Sequence, residues 1–269
     1  MKTHNRRPLL TLSLVVLLSL LGAAATTAAP PMASQAAPQA APPLAITPPA
    51  TTPGIYMAFV DYDGEDPTVY GHEGEFVVFN WSRLEYGRGD YNMGTIEAWV
   101  AHKARQGKRA AFGISPYNGR RSAGGIAVPD YLKNNPNAVV DVGGGWLIPK
   151  YWSPDYLQAY EGLVQKIALT FRGDPRIEFI AIGTGMYGEA SACDRDQEIL
   201  NAMAAAGLNS DVWIDAVEDM TDSWVRWFKG QEADLQTTLF QQVAPYTYSP
   251  RERREISQYS AERGIGLSV

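Results

Sequence analysis

One carboxylate in the sequence stands where acid–base chemistry is possible. Glu189 follows the apolar run Ile177–Ile182, which is too short for a typical helix and suits a strand buried on both faces of a parallel sheet. Three glycines, Gly183, Gly185 and Gly188, allow the backbone to turn sharply after this run. Active-site residues of parallel α/β folds gather at the C-terminal ends of the strands, and burial there raises the pKa of a carboxyl group. Glu189 is therefore our candidate proton donor, and an ordinary loop glutamate is the alternative interpretation.

Strand-like and helix-like patterns alternate along the chain. Strands are predicted at Ile55–Val60, Glu75–Trp81, Arg109–Ser115, Ile177–Ile182, Thr237–Ala244 and Ile265–Val269, with a weak strand near Trp146. Helices are predicted at Met93–Gln106, Ser153–Gly173, Gln197–Ala206, Asp211–Lys229 and Ser249–Arg263. Short connections between strand, helix and strand indicate βαβ units, and hence an α/β fold with a parallel sheet.

The N-terminal part of the chain carries targeting and linker patterns. Residues 1–25 are predicted to be a signal peptide, because basic residues precede the apolar run Leu9–Leu21 and small residues follow it. An uncleaved membrane anchor is the alternative. Residues 26–53 are nearly all Ala, Pro, Thr, Ser and Gln without charge, which predicts a disordered linker. We therefore expect a secreted or extracytoplasmic protein, with tethering to the cell surface left open.

Composition excludes several classes of function. The chain has 269 residues, 45% of them hydrophobic, and residues 54–269 suit a single domain with one core. Without the predicted signal peptide it carries 20 basic and 29 acidic residues, a net charge of −9, which argues against nucleic acid and anionic membranes as partners. The single cysteine, Cys193, and the shortage of histidine argue against a metal site or a Ser-His-Asp triad. No cofactor is expected.

Several motifs together resemble a known family. The stretch Phe76–Glu85, followed by Gly89–Asn92, resembles the first strand region of (β/α)8 glycoside hydrolases, most closely the β-galactosidase-like, family 42-type group of clan A-like enzymes. The stretch ending in Glu189 is similar to the strand of that group that ends in G-x-x-G-E. The sequence departs from the pattern at Tyr86, where proline is usual, and at Gly188, where the clan usually has asparagine.

The resemblance implies hydrolysis of O-glycosidic bonds with retention of configuration. That reaction needs an acid/base and a nucleophilic carboxylate about 5–5.5 Å apart. Glu189 at the end of the fourth strand would be the acid/base, and the nucleophile would come from the seventh strand. Counting from Glu75–Trp81, with the weak strand near Trp146 as the third, we expect an incomplete TIM (β/α)8-type barrel with five to six of eight strands.

Three explanations of an incomplete barrel remain open: a fragment of a longer enzyme, which we favour; a barrel completed by association with another chain; and a shortened, inactive relative that binds sugar.

Aromatic and amide side chains near predicted strand ends are candidates for a sugar cleft. These candidates are Trp81, Tyr117, Trp146, Trp152, Tyr187, Gln242 and Tyr246, and packing in the core or in loops is the alternative for each. Glu85 is expected to anchor the first loop rather than to react. The expected function is a secreted glycoside hydrolase-like protein with a carbohydrate substrate, and the competing class is a non-catalytic carbohydrate-binding or cell-surface protein.

Overall fold

A six-stranded parallel sheet is the central element of the fold. The computed structural model of the protein describes residues 54–58, 71–120, 124–229, 237–243 and 245–268, so the predicted signal peptide and linker lie outside the described residues. The strands are β1 (Tyr56–Ala58), β2 (Gly74–Asn80), β3 (Glu85–Gly87), β4 (Asp90–Tyr91), β5 (Arg109–Ser115), β6 (Val139–Asp141), β7 (Leu147–Pro149), β8 (Ile177–Ala181), β9 (Thr238–Gln242) and β10 (Gly266–Ser268). The helices are α1 (Trp81–Leu84), α2 (Gly94–Arg105), α3 (Asp130–Lys133), α4 (Pro154–Phe171), α5 (Gln197–Ala205), α6 (Ser210–Lys229) and α7 (Pro250–Glu262).

The order of strands in the sheet follows the order of the chain. The sheet runs β1-β2-β5-β8-β9-β10, and every neighbouring pair is parallel. Helices α2, α4, α6 and α7 occupy the connections, as in consecutive βα units of a TIM barrel. Within the described residues the sheet does not close on itself, and β1 and β10 are its two edges. The prediction of an α/β fold with an incomplete barrel is therefore confirmed.

The strand count needs one correction. The prediction of a third barrel strand near Trp146 is wrong, because β7 pairs antiparallel with β6 in a separate two-stranded sheet. The glycines at 143–145, all with positive φ, let the chain turn back on itself there. The strand that begins near Ile55 joins the main sheet instead, as its first member β1. The two changes compensate, and Glu189 still follows the fourth strand, β8.

Helix α4 covers the outer face of the sheet. Ser153 caps its N-terminus by accepting a hydrogen bond from the Tyr156 N–H at 3.2 Å, and Pro154 occupies the first helical turn, as predicted. The predicted apolar stripe along the helix, which includes Leu163 and Ile167, is buried. It forms one core cluster with alternate strand residues, among them Phe112 and Ile180.

Aromatic residues cover part of the inner face. Phe179 of β8 contacts the rings of Tyr56, Phe76 and Phe240 at centroid distances of 5.6, 5.8 and 5.1 Å. These rings come from four different strands, so they tie the sheet together on the side where a closed barrel would have its interior. No helix among the described residues has the length and apolar character needed to cross a membrane.

Candidate active site

A cleft of about 840 Å³ opens on the inner face of the sheet. Its floor is apolar and consists of the four aromatic rings from β1, β2, β8 and β9. Polar side chains lie toward the C-terminal ends of the strands, and they include Asn80, Asn118, Glu189 and Gln242. An apolar floor with a few convergent polar groups is typical of a site for a small organic ligand.

Glu189 is the acidic group of this cleft. It is partly buried, and burial raises the pKa of its carboxyl group above the ordinary value. The Gln242 side-chain amide donates a hydrogen bond from Nε2 to Glu189 Oε1 at 2.8 Å, which fixes the orientation of the carboxyl group. A carboxyl group that holds its proton more firmly than usual and faces a cleft is suited to proton donation.

A tight turn after β8 presents Glu189 to the cleft. Gly183 is required there, because a Cβ atom at this position would lie 1.7 Å from the carbonyl oxygen of Ile114. Tyr187 adopts a φ of 58°, unusual for a residue other than glycine, and its N–H donates to the carbonyl of Tyr117 at 2.7 Å. The neighbouring segment therefore holds the turn in a conformation that the chain would not favour by itself.

The turn after β8 is also bonded to the loop after β9. The Ala190 N–H donates to the carbonyl of Gln242 at 2.8 Å, and the Ala192 N–H donates to Thr247 Oγ1 at 2.8 Å. These bonds fix the backbone of both members of the Glu189–Gln242 pair. The site is therefore formed before any ligand binds.

Two asparagines complete the polar part of the cleft. Ser115 Oγ donates to Asn118 Oδ1 at 2.7 Å, and Asn118 Nδ2 donates to Asn80 Oδ1 at 2.8 Å. Because Asn80 accepts through its oxygen in this chain of bonds, its Nδ2 remains a donor for a ligand. Neither asparagine was predicted from the sequence as a site residue, although Asn80 ends β2 and Asn118 follows β5 by three residues, where site residues of parallel barrels are expected.

Glu189 is the one carboxylate among the described residues that line the cleft. A retaining glycosidase needs a second carboxylate about 5–5.5 Å from the first. The part of the chain that the structure covers also contains no group of three or more His, Cys, Asp or Glu side chains able to hold a metal ion.

Only some of the predicted sugar-binding residues reach the cleft. Tyr187 and Gln242 line it beside Glu189. The expected position of Trp81 in the cleft is wrong, because its side chain is 0% exposed and its ring packs on Tyr156 and Tyr160 of α4. Trp81 begins the short helix α1, which turns the ring away from the cleft and toward the helix layer.

The remaining aromatic candidates lie outside the set of residues that line the cleft. Tyr117 is fully buried and donates from its hydroxyl to Asp194 Oδ2 at 2.7 Å, while Trp146 Nε1 donates to the Tyr117 hydroxyl at 3.1 Å. Trp152 borders a separate small groove on α6 and lies 5.7 Å from the Lys150 ammonium. Tyr246 packs against arginine side chains.

Glu85 has the anchoring position expected from the sequence. Its buried carboxylate accepts hydrogen bonds from Trp81 Nε1 at 2.8 Å, the Gly89 N–H at 2.9 Å and the Tyr131 hydroxyl at 3.0 Å. It thereby joins α1, the β3–β4 turn and α3 near the C-terminal end of β2.

Comparison with known proteins shows similarity of fold. No protein-family model matches the chain, and no curated protein sequence matches it. Among solved structures, the catalytic domain of a beta-amylase from Paenibacillus polymyxa matches with a TM-score of 0.52 at 12% identity, covering 73% of this chain and 69% of that chain. At this identity the similarity concerns the fold alone.

Other matched structures are also glycosidases by their descriptions. An exo-beta-1,4-mannosidase from Opitutaceae bacterium strain TAV5 matches with a TM-score of 0.43 at 11% identity, over 64% of this chain and 26% of that chain. Endo-glycoceramidase II from Rhodococcus sp. matches with a TM-score of 0.43 at 12% identity, over 72% of this chain and 53% of that chain. The match to the beta-amylase domain agrees with the partial TIM-barrel fold of this chain.

Proposed function

We propose that the protein acts on carbohydrates in this cleft, as a glycoside hydrolase-like protein of the β-galactosidase-like, clan A-like type. The observation that carries the proposal is the position of Glu189, partly buried in an aromatic-floored cleft directly after the fourth strand of the sheet. The motifs around Phe76–Glu85 and Glu189 support the same class.

In the proposed reaction Glu189 protonates the glycosidic oxygen as the bond to the leaving group breaks. Its burial raises the pKa, so the carboxyl group retains a proton to a higher pH than an exposed glutamate. Gln242 holds the carboxyl group in one orientation, and the Asn80 amide donates to a sugar hydroxyl. The ring of Tyr187, which is 40% exposed, offers a face for the C–H groups of a sugar.

Retention of configuration requires a carboxylate nucleophile in addition to Glu189. We propose the retaining reaction for an assembly in which a further barrel strand, from this chain or another, supplies that group.

A second candidate function is binding of carbohydrate without hydrolysis. It is favoured by one observation, the single carboxylate among the described residues that line the cleft. Binding would use the same aromatic floor and the same amides, and Glu189 would then serve as a hydrogen-bonding group.

Hydrolysis of a panel of aryl glycosides distinguishes the two functions. The wild-type protein is compared with Glu189→Gln, which keeps the shape of the side chain and removes its acidity, and with Glu97→Gln as a matched control on the exposed side of α2. We expect Glu189→Gln to lower kcat by about 10²–10⁴-fold, the usual contribution of a general acid, and Glu97→Gln to leave it unchanged. Absence of hydrolysis by a folded wild-type protein that still binds oligosaccharide supports the second function and contradicts hydrolysis by this chain without a further strand.

We also propose that the protein acts outside the cytoplasm. The support is the predicted signal peptide, residues 1–25, with the linker 26–53 behind it. The test is the N-terminal sequence and mass of the protein recovered from culture medium. A chain that stays in the cytoplasm with its first residues intact contradicts this proposal.

A further inference from the structure

Two arginine side chains, one in the loop after β8 and one on α7, pack on one tyrosine ring. The Arg195 guanidinium carbon lies 4.3 Å from the centroid of the Tyr246 ring, and that of Arg253 lies 5.8 Å from it. The two positive charges are thus no more than about 10 Å apart, close to the Debye length at 0.1 M salt, so their positive potentials add in the space between them.

Both guanidinium groups lack a carboxylate partner among the described residues. None of the ion pairs found there within 4.0 Å includes Arg195 or Arg253, whereas the neighbouring Arg251 and Arg254 on the same helix pair with Asp211 and Glu255. Both side chains are exposed, so their N–H groups are accessible to a ligand.

The acidic residues nearest in sequence are already engaged with other donors. Asp194 accepts from the Tyr117 hydroxyl and from the Arg120 N–H. Asp196 caps α5 by accepting from the Glu198 N–H, and the buried Glu252 accepts from the Thr247 N–H. The chain is acidic overall, with a net charge of −6, yet no carboxylate of the described residues forms an ion pair with either arginine.

Arg195 and Tyr246 lie in the loops that follow β8 and β9, the strands that precede Glu189 and end in Gln242, and Arg253 lies on α7 after the second loop. Tyr246 follows Gln242 by four residues, which limits the distance between their Cα atoms to about 14 Å. The Ala190–Gln242 and Ala192–Thr247 hydrogen bonds align the loops over this interval. A group bound at Tyr246 is therefore near the end of the cleft at which Gln242 donates to Glu189.

We infer that Arg195, Arg253 and Tyr246 form a subsite for an anionic sugar, so that the preferred carbohydrate carries a carboxylate or sulfate group close to the bond at Glu189. The inference rests on the proposed function of the cleft. The planar guanidinium groups donate paired N–H bonds to the anion, and the Tyr246 ring holds them in place.

The test is isothermal titration calorimetry of the purified protein with three oligosaccharides. These are a tetragalacturonate, a sulfated galactose tetrasaccharide and a neutral galactose tetrasaccharide, so that the carboxylate and sulfate sources are measured separately.

The variants are Arg195→Gln, Arg253→Gln, the double variant, and Arg254→Gln as the matched control on α7. We expect the wild-type protein to bind at least one anionic oligosaccharide about tenfold or more tightly than the neutral one. Each single variant of the pair should lose most of this preference and the double variant all of it, while Arg254→Gln retains it.

Equal affinity of the wild-type protein for the three oligosaccharides, absence of binding to all of them, or a preference that persists in the double variant overturns the inference. Its failure is distinguishable from failure of the proposed hydrolysis. Cleavage of neutral substrates that depends on Glu189, without an anionic preference, overturns the anion subsite alone. An arginine-dependent preference without cleavage of any substrate supports the subsite and contradicts hydrolysis.

Discussion

The hydrogen bond between Trp81 and Glu85 provides a quantitative test of the structure. In Glu85→Gln the amide oxygen can still accept from the Gly89 N–H and the Tyr131 hydroxyl, but an NH₂ group then faces the indole N–H of Trp81. The variant loses a hydrogen bond to a charged group, worth about 1.5–3 kcal/mol, and leaves a buried donor unsatisfied at about 1–3 kcal/mol. We therefore expect the free energy of unfolding to fall by roughly 3–5 kcal/mol, a large part of the stability of an ordinary domain.

A double-mutant cycle isolates this bond from the other effects of the substitution. Trp81→Phe keeps an aromatic ring against Tyr156 and Tyr160 and removes only the N–H donor and part of the ring. In that background the introduced side-chain amide no longer meets an opposing donor, so Glu85→Gln should cost about 1–3 kcal/mol less than in the wild type. Urea unfolding followed by circular dichroism measures all four proteins. Losses that add to within about 0.5 kcal/mol refute the assigned bond and the placement of Trp81 in the core.

Three further predictions concern the turn that carries Glu189 and its surroundings. Because burial places the folded-state pKa of Glu189 above the unfolded value, its stabilising contribution is complete below the unfolded pKa and is lost as pH rises through the folded one. Glu189→Gln should therefore raise the free energy of unfolding at pH 7, by an amount that shrinks toward pH 4. Urea unfolding at both pH values measures this gain in stability, and a gain that grows toward pH 4 contradicts the prediction. Gly183→Ala should lower the free energy of unfolding by about 4 kcal/mol or more, because the new methyl group meets the Ile114 carbonyl oxygen. At Gly87 the nearest atom to an added Cβ is 3.9 Å away, so Gly87→Ala should change the free energy of unfolding by about 1 kcal/mol at most. Comparable melting temperatures of the two variants argue against the close approach at Gly183. Burial raises the pKa of the Cys193 thiol to about 12. A thiol reagent at pH 8 should therefore label the unfolded chain quickly and the native protein slowly. Rapid labelling of the native protein would place the thiol at the surface.

The sequence predicted the sheet better than it predicted the site. Apolar runs such as Arg109–Ser115 become strands because their side chains are buried on both faces, and this pattern is visible without a structure. The prediction of a barrel strand near Trp146 was wrong because this segment pairs with β6, and the three preceding glycines permit the turn between them. Local composition cannot distinguish a strand of the main sheet from one arm of a hairpin.

The sequence also does not show which way a side chain points after a strand ends. Trp81 and Asn80 are adjacent, yet Asn80 faces the cleft and Trp81 packs under α4. The short helix at residues 81–84 turns the two side chains in different directions, and four residues are too few to show a helical periodicity in the sequence. Glu189 was found because its glycines mark a turn, whereas the orientation of the Asn118 side chain depends on a hydrogen bond from Ser115 that no sequence pattern reveals.

The strand order has a consequence for how the protein is made. Since β1, β2, β5, β8, β9 and β10 are neighbours in space in the order in which they are synthesised, every strand after β1 meets one finished partner as it leaves the ribosome. The sheet grows at one edge, and each intervening helix can cover the strand just added before the next strand arrives. Folding can therefore proceed in the direction of translation, and Glu189 reaches its final place only when β9 and Gln242 have been added.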